Sequence, residues 1–281
     1  MRSPANREAG LEGRCRPWVL SNRTAAVLPR FFFGIIGAMD TFGEYSFKVR
    51  SYECDGEGFA TLPTICNYLQ EAASLNAEEL GFSKSDFAAA GDDISWVLTK
   101  LRVRMERYPK WEESVKVTTF PRGGRRIVAW RDFIVTDSDG ETLGVATTEW
   151  MIINLSTRRI VTVPQKVFDV ANTVRPLVLG EEPFSRIRFP EHGEGDASAP
   201  MEFVAQNSHI DLNGHVNNVH YIEWMLEPCP GLRPSEMEIV FRSEIFAGDK
   251  VFVSVSGGSA GERYHRVFAE DGKDHIVAVT R

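Results

Sequence analysis

Two short stretches, Asn67-Tyr68-Leu69-Gln70-Glu71 and His220-Tyr221-Ile222-Glu223-Trp224, decide how this chain is read, because they make it a repeat. Each belongs to a segment with apolar residues at helical spacing. In the first, Leu62, Ile65, Leu69, Ala72, Ala73 and Leu80 predict a helix that stops at Gly81. In the second, Val216–Leu226 is the helix, entered through Asp211-Leu212-Asn213-Gly214. One strand precedes each helix and several follow. Tyr45–Arg50 alternates as a strand does. After the first helix come Trp96–Glu106, Ser114–Phe120, Ile127–Asp137 and Glu141–Asn154, the last two joined by the hairpin turn Ser138-Asp139-Gly140. Thr157-Arg158-Arg159 turns the chain into Ile160–Val163. In the second half, Met201–Gln206 precedes the helix. Met237–Ser243, Lys250–Ser256, Tyr264–Ala269 and His275–Thr280 follow it, with Glu270-Asp271-Gly272 as a matching turn.

Trp111-Glu112-Glu113-Ser114-Val115 also resembles Ala247-Gly248-Asp249-Lys250-Val251, so the likeness extends into the strands. The pattern predicts an α+β chain made of two copies of one unit. In each, an apolar helix is wrapped by a curved antiparallel sheet that buries it on most sides. The expected partition is an extended or disordered N-terminus over 1–43, a first unit over 44–170, a linker over 171–199 and a second unit over 200–281. The linker expectation rests on its Pro, Gly and charge and on its lack of periodicity.

Composition sets outer limits. The chain has 281 residues, 43% hydrophobic and 25% charged, as globular proteins do. A net charge of -7 argues against wide contact with nucleic acid, which needs clustered Lys and Arg. Four cysteines (Cys15, Cys54, Cys66 and Cys229) form no CxxC pair, which fits a reducing compartment rather than a disulfide framework. Residues 1–38 carry Arg2, Arg7, Arg14, Arg16, Arg23 and Arg30 and then the apolar run Phe31–Ala38. That run is far shorter than the ~20 residues of a membrane span, and no other stretch is a candidate. The reading favours a cytoplasmic protein with an upstream-extended start at Met39 over one with an organellar transit peptide.

Polar chemistry concentrates in Ser208-His209-Ile210-Asp211-Leu212-Asn213-Gly214-His215-Val216-Asn217-Asn218-Val219-His220-Tyr221, which holds three of the six histidines. Asp, Asn and Gly before a helix have an ordinary role as caps. His215 followed by Asn217 and Asn218 is harder to explain that way. His209, Asp211 and His215 could in principle ligate a metal, but their spacing matches no zinc pattern, so no metal or other cofactor is expected. When the halves are aligned without gaps through Tyr68 and Tyr221, Asp211, Asn213 and His215 face Gly58, Ala60 and Leu62. Aligned through Val115 and Val251, Glu244 faces Tyr108. The first half thus lacks the polar set, and one active site per chain is expected.

Asp211–Trp224 resembles the signature of plant and bacterial acyl-[acyl carrier protein] thioesterases. Trp96-Val97-Leu98-Thr99-Lys100-Leu101, Glu106-Arg107-Tyr108-Pro109-Lys110-Trp111, Trp150-Met151-Ile152-Ile153-Asn154 with Thr157-Arg158-Arg159, and Phe241-Arg242-Ser243-Glu244-Ile245 are similar to further stretches of that family. The resemblance runs in order from about Glu44 to Arg281.

It implies a tandem (double) hotdog fold and hydrolysis of fatty acyl thioesters on a phosphopantetheine-bearing carrier protein. It carries the family's catalytic set onto Asp211, Asn213, His215 and Glu244. Ile245 stands where the family's once-proposed cysteine nucleophile would be, so attack by water is the expected route. Glu244 or His215 would be the base, Asn213 a donor to the carbonyl oxygen, and backbone N–H groups near Val216 further oxyanion donors. Leu69, Ala72, Ala73, Trp96, Val97 and Leu98 are expected along the substrate tunnel, each equally at home in a core. Arg122, Arg125 and Arg126 are expected to dock the acidic carrier, although such charge runs are often only solvated. A homodimer is left open. The rival readings are an acyl-coenzyme A thioesterase, a hydratase or dehydratase on the same fold, and a non-catalytic acyl-binding module.

Overall fold

The computed structural model describes residues 41–171, 177–190, 199–258 and 261–281; the expectations for residues 1–40 lie outside them. The strands are β1 (Gly43–Lys48), β2 (Ile94–Met105), β3 (Ser114–Arg125), β4 (Val128–Thr136), β5 (Thr142–Asn154), β6 (Ile160–Val161), β7 (Met201–Val204), β8 (Glu236–Phe241), β9 (Lys250–Gly257), β10 (Arg263–Phe268) and β11 (Asp274–Thr280). The helices are α1 (Leu62–Glu79), α2 (Lys84–Ala89), α3 (Gln165–Asp169) and α4 (Asn218–Leu226). All the strands lie in one antiparallel sheet of order β1-β3-β4-β5-β2-β8-β11-β10-β9-β7, with β6 on β5. Read outward from the β2–β8 junction, β2-β5-β4-β3-β1 is matched by β8-β11-β10-β9-β7. The repeat is therefore a structural one, and the two sheets fuse through their central strands.

Local chemistry explains the two long helices. The Thr61 hydroxyl caps α1 by accepting from the Thr64 N–H, and Pro63 falls in the first turn, where its missing donor costs nothing. Leu62, Ile65, Cys66, Leu69, Ala72, Ala73 and Asn76 form its buried stripe. Asn217 caps α4 through the Val219 N–H, and Val219, Tyr221, Ile222, Trp224 and Met225 are buried along it. The two helices pack against each other and against the sheet, within one core drawn from both halves.

The structure corrects the expected helix register. Phe47 on β1 stacks on Tyr68 at 4.6 Å, and Phe203 on β7 stacks on Trp224 at 5.6 Å. Tyr68 therefore corresponds to Trp224, one helical turn beyond Tyr221. A slip of one turn keeps the same face, so apolar spacing alone cannot detect it.

Arg122 is a second correction. Its side chain is 3% exposed, 3.6 Å from the fully buried Asp132 carboxylate, and its Nη2 donates to the Gly180 and Glu181 carbonyls at 2.5 and 3.0 Å. Such a buried cation is unavailable to a partner. Residues 177–190, expected as part of a linker, form a strap across the outer face of the sheet. Arg102 Nη1 donates to the Pro183 carbonyl at 2.9 Å, the buried Glu238 accepts from Ser185 N–H and Oγ at 2.5 and 3.0 Å, and Ile187 packs on Val277 and Val279. The strap has no periodicity because it is held by side chains of the sheet and not by a ladder.

Candidate active site

The loop before α4 closes on itself. Asp211 N–H donates to the His215 carbonyl at 2.9 Å, and Gly214 N–H donates to the Asp211 carbonyl at 3.0 Å. Gly214 takes φ +85°, a conformation that favours glycine. The Val216 N–H then donates to the Ile245 carbonyl at 2.9 Å, which ties the loop to the chain just after β8. Ile245 is fully buried, and Glu244 beside it turns toward the loop.

This brings together residues far apart in sequence. His215 Nε2 lies 3.4 Å from Glu244 Oε1, and His215 Nδ1 lies 3.8 Å from Asp211 Oδ1. His215 and Glu244 side chains are each about a quarter exposed, so Glu244 is not a solvated strand-end carboxylate. Distances of this kind are looser than full hydrogen bonds, as is common for catalytic groups before substrate arrives. Asn213 is placed differently from expectation. Its Nδ2 donates to Asp211 Oδ2 at 3.2 Å, and its Oδ1 accepts from Lys84 Nζ at 3.2 Å. Lys84 begins the short helix α2, which the sequence reading did not contain. The Val216 N–H is spent on Ile245. The next N–H free of a partner within the helix is at the first position of α4, Asn218.

An apolar cavity begins at Asn218. Cys66, Leu69, Gln70 and Ala73 of α1, Leu98 and Leu101 of β2, Phe133 of β4, Thr148 and Trp150 of β5, Asn218, Val219 and Ile222 of α4, and Phe241 of β8 line it. Leu69, Ala73 and Leu98, expected along the tunnel, are among its lining residues. Ala72 is fully buried in the core instead, and Val97 falls on the opposite face of β2 from Leu98. Trp96 donates its indole N–H to the Phe82 carbonyl at 2.8 Å and joins a separate cluster with Phe87.

His209 does not join Asp211 and His215. Its Nδ1 accepts from the Gln206 N–H at 3.0 Å, and its ring packs on His220 and Trp224. Burial, then the nearby His220, pushes its pKa below the ordinary histidine value. Among the described residues, no three His, Cys, Asp or Glu side chains converge on a metal position.

The first half contains the same loop, emptied of this chemistry. The bridge Ile210↔Val216 has its counterpart in Cys54↔Ala60. Asp55 N–H donates to Phe59 O and Gly58 N–H to Asp55 O, as Asp211 and Gly214 do. Asp55 therefore corresponds to Asp211, Glu57 to Asn213 and Phe59 to His215. The Ala60–Pro109 bond matches Val216–Ile245, so Tyr108 corresponds to Glu244 as the strands predicted. The expectation that the first half lacks the whole set is corrected in one respect, since the Asp is kept. Arg233 fills that loop. Its Nε donates to Asp55 Oδ2 at 2.6 Å and its Nη2 to Glu57 Oε2 at 2.9 Å, and it lies 4.4 Å over the Phe59 ring. The bond from Arg233 holds the Asp55 carboxyl below the usual carboxylate range.

Two fused helix-and-sheet units, with one His–Glu pair just before α4 and an apolar cavity lined by both long helices, define a double hotdog protein. Residues 41–171 match the acyl-ACP thioesterase N-terminal domain and residues 194–280 the C-terminal domain of that family, and the chain belongs to it. It is 36% identical over 200 residues to oleoyl-acyl carrier protein thioesterase 1, chloroplastic, of Arabidopsis thaliana, covering 66% of this chain and 54% of that protein. It is 30% identical over 255 residues to the chloroplastic palmitoyl-acyl carrier protein thioesterase of Cuphea hookeriana, covering 84% of this chain and 60% of that one. The chain thus spans about half the length of the curated relatives it matches. Among solved structures, an acyl-ACP thioesterase from Bacteroides thetaiotaomicron superposes with TM-score 0.77 at 25% identity, over 87% of this chain and 99% of that one. The 12:0-ACP thioesterase of Umbellularia californica superposes with TM-score 0.76 at 22% identity, over 89% of this chain and 98% of that one, a likeness of fold.

Proposed function

We propose that this chain hydrolyses fatty acyl thioesters of acyl carrier protein, releasing the fatty acid and so ending chain elongation. The observation that carries the reading is the His215–Glu244 contact at 3.4 Å just before α4, whose first residues Asn218 and Val219 line an apolar cavity. In this reading the second half (200–281) supplies the reacting groups, and the first half (44–170) supplies most of the cavity wall. The cavity measures about 20 Å³, while ligand pockets run to a few hundred Å³. An acyl chain is therefore admitted by side chains of α1, β2 and β5 moving apart.

The thioester carbonyl is held at the start of α4, its oxygen toward the Asn218 N–H and the positive end of the helix. A water held beside the Glu244 carboxylate gives it a proton as the water oxygen bonds to the carbonyl carbon. The resulting oxyanion re-forms C=O, the C–S bond breaks, and the proton held by Glu244 passes through His215 to the departing thiolate. Asp211 steadies the loop and faces the other His215 nitrogen. Asn213, bonded to Asp211 and Lys84, orients that loop. The exposed Arg125 and Arg126 serve the acidic carrier; Arg122 is excluded. The described cysteines Cys54, Cys66 and Cys229 are free thiols, which supports a reducing, cytoplasmic setting. No described helix is long and apolar enough to cross a membrane.

The test uses a ladder of acyl-carrier substrates and a thiol-trapping dye. Glu244→Gln and His215→Ala should each lower kcat by about 100-fold or more. Near-normal rates in folded variants would exclude the site, faster turnover of coenzyme A thioesters of equal acyl length would exclude the carrier assignment, and absence of thiol release would exclude hydrolysis.

A further inference from the structure

Glu244 is not held by His215 alone. While its Oε1 faces His215, its Oε2 accepts from Nη2 of Arg158, which belongs to the first half. Arg158 occupies the turn between β5 and β6 with φ 57°, in the left-handed region that side chains with a Cβ seldom adopt.

The turn around it is tied at every residue. Arg158 N–H donates to the Asn154 carbonyl at 2.8 Å, and Asn154 N–H donates to the Arg159 carbonyl at 2.9 Å. The Asn154 side-chain oxygen accepts from both Thr157 N–H and Thr157 Oγ1 at 2.8 Å. The Asp93 carboxylate accepts from Ser156 N–H and Oγ at 3.0 and 2.5 Å. A solvated surface arginine needs no such framework, and its ion pair would add little to stability. Strained backbone that survives beside a reacting group is characteristic of functional sites.

We propose that Arg158 is a positioning residue: its guanidinium fixes the Glu244 carboxylate in the rotamer that meets His215, so the working site is assembled from both halves. The inference rests on the hydrolytic reading above. Arg158 is the cation in direct contact with Glu244 among the described residues. His215 is the other ionisable group in contact with Glu244; Asp211 lies on the far side of the His215 ring, and Tyr221 of α4 feels the Glu244 charge together with those of Asp211 and Asp249. Removing Arg158 frees the Glu244 rotamer.

The experiment measures kcat and KM for the full chain, on a soluble acyl-pantetheine and on acyl carrier protein. The variants are Arg158→Ala, Arg158→Gly and Arg158→Lys, and Arg158→Ala combined with Glu244→Gln. Arg158→Ala should lower kcat roughly 10- to 100-fold on both substrates with little change in KM, as small misplacements of a reacting group do. Arg158→Lys should restore part of the rate. Arg158→Gly relieves the backbone, so it should unfold no earlier than the parent yet be as slow as Arg158→Ala. In the Glu244→Gln background, Arg158→Ala should cost little more, because the two residues act as a unit. An increase in KM for the carrier substrate alone, with kcat unchanged, would make Arg158 a docking residue and overturn the proposal. A full multiplicative effect in the Glu244→Gln background would overturn it as well. If Glu244→Gln and His215→Ala are themselves fully active, the hydrolytic reading fails and takes this inference with it.

Discussion

His265 on β10 makes the folded chain sensitive to acid, and the sensitivity can be worked out from its surroundings. The residue is fully buried. Its Nδ1 lies 3.0 Å from the Met225 carbonyl in α4, which can only accept, so Nδ1 carries the proton. Its Nε2 lies 2.9 Å from Thr280 Oγ1 and, in the neutral ring, accepts from that hydroxyl. Burial pushes its pKa down from 6.5 to about 4, against the opposing pull of the bond to Met225. Between those two values the unfolded chain binds a proton that the folded chain refuses. Stability from this residue is therefore complete above pH 6.5 and is lost as pH falls toward 4, below which both states are protonated. The loss across that window is about 3 kcal/mol at ~1.4 kcal/mol per decade of proton affinity, a large part of a typical folding margin. The assay is urea unfolding of the parent and of His265→Gln from pH 7.5 to 4. The variant should start about 1–3 kcal/mol less stable, having lost well-placed buried hydrogen bonds, and the gap should close as pH falls. Other titrating groups, His209 and His275 among them, are present in both proteins and cancel in the difference. A gap that stays constant with pH would refute the argument.

Three further outcomes follow from the packing. Asp132→Ala strands the Arg122 cation among buried groups and should cost about 3–5 kcal/mol in chemical denaturation; a loss near zero would mean the pair is solvated. Ala73→Phe fills the cavity between α1 and β2, so kcat/KM should fall far more for long acyl chains than for short ones, and an equal loss for both would place the chain elsewhere. Arg125→Glu with Arg126→Glu should raise KM for acyl carrier protein several-fold by like-charge repulsion while leaving a soluble acyl-pantetheine unchanged, and equal effects on both substrates would contradict docking there.

Most of the fold was legible because its signals are local. The stripe Leu62–Leu80 and the hairpin turns at Ser138-Asp139-Gly140 and Glu270-Asp271-Gly272 mark elements that lie within a few residues of the expected bounds. Short α2 and α3 were missed, since one or two turns carry too little periodicity. The register between halves was legible in the strands, where turns pin it, and not in the helices, where Tyr68 and Tyr221 share a face one turn apart. Arg122 read as exposed because the glycines around it suggest a loop, whereas its counter-ion Asp132 lies on the neighbouring strand, opposite Phe120. The site followed the same division. The loop Asp211–His215 stands out by its density of polar side chains, whereas Glu244 entered the site only through the resemblance of Phe241–Ile245 to the family. Lys84 and Arg158 were not recognised as site residues because they reach it from the other half, and the signal for Arg158 is a backbone angle.

The two loops also explain why one site suffices. The pseudo-symmetric fold builds the same loop twice, at Asp55–Phe59 before α1 and at Asp211–His215 before α4, and those two helices pack against each other. The cavity takes its lining from both α1 and α4, so on the proposed reading an acyl chain entering from the second half would occupy volume that a chain from the first half would need. Two working sites would compete for that cavity. At the first loop an aromatic ring stands where the imidazole would be, a buried tyrosine bonded to the Pro234 carbonyl at 2.8 Å stands where the carboxylate would be, and Arg233 crosses from the other half to neutralise the retained Asp55. Restoring His and Glu at positions 59 and 108 would therefore not create a second hydrolase, because Arg233 would still pair with Asp55.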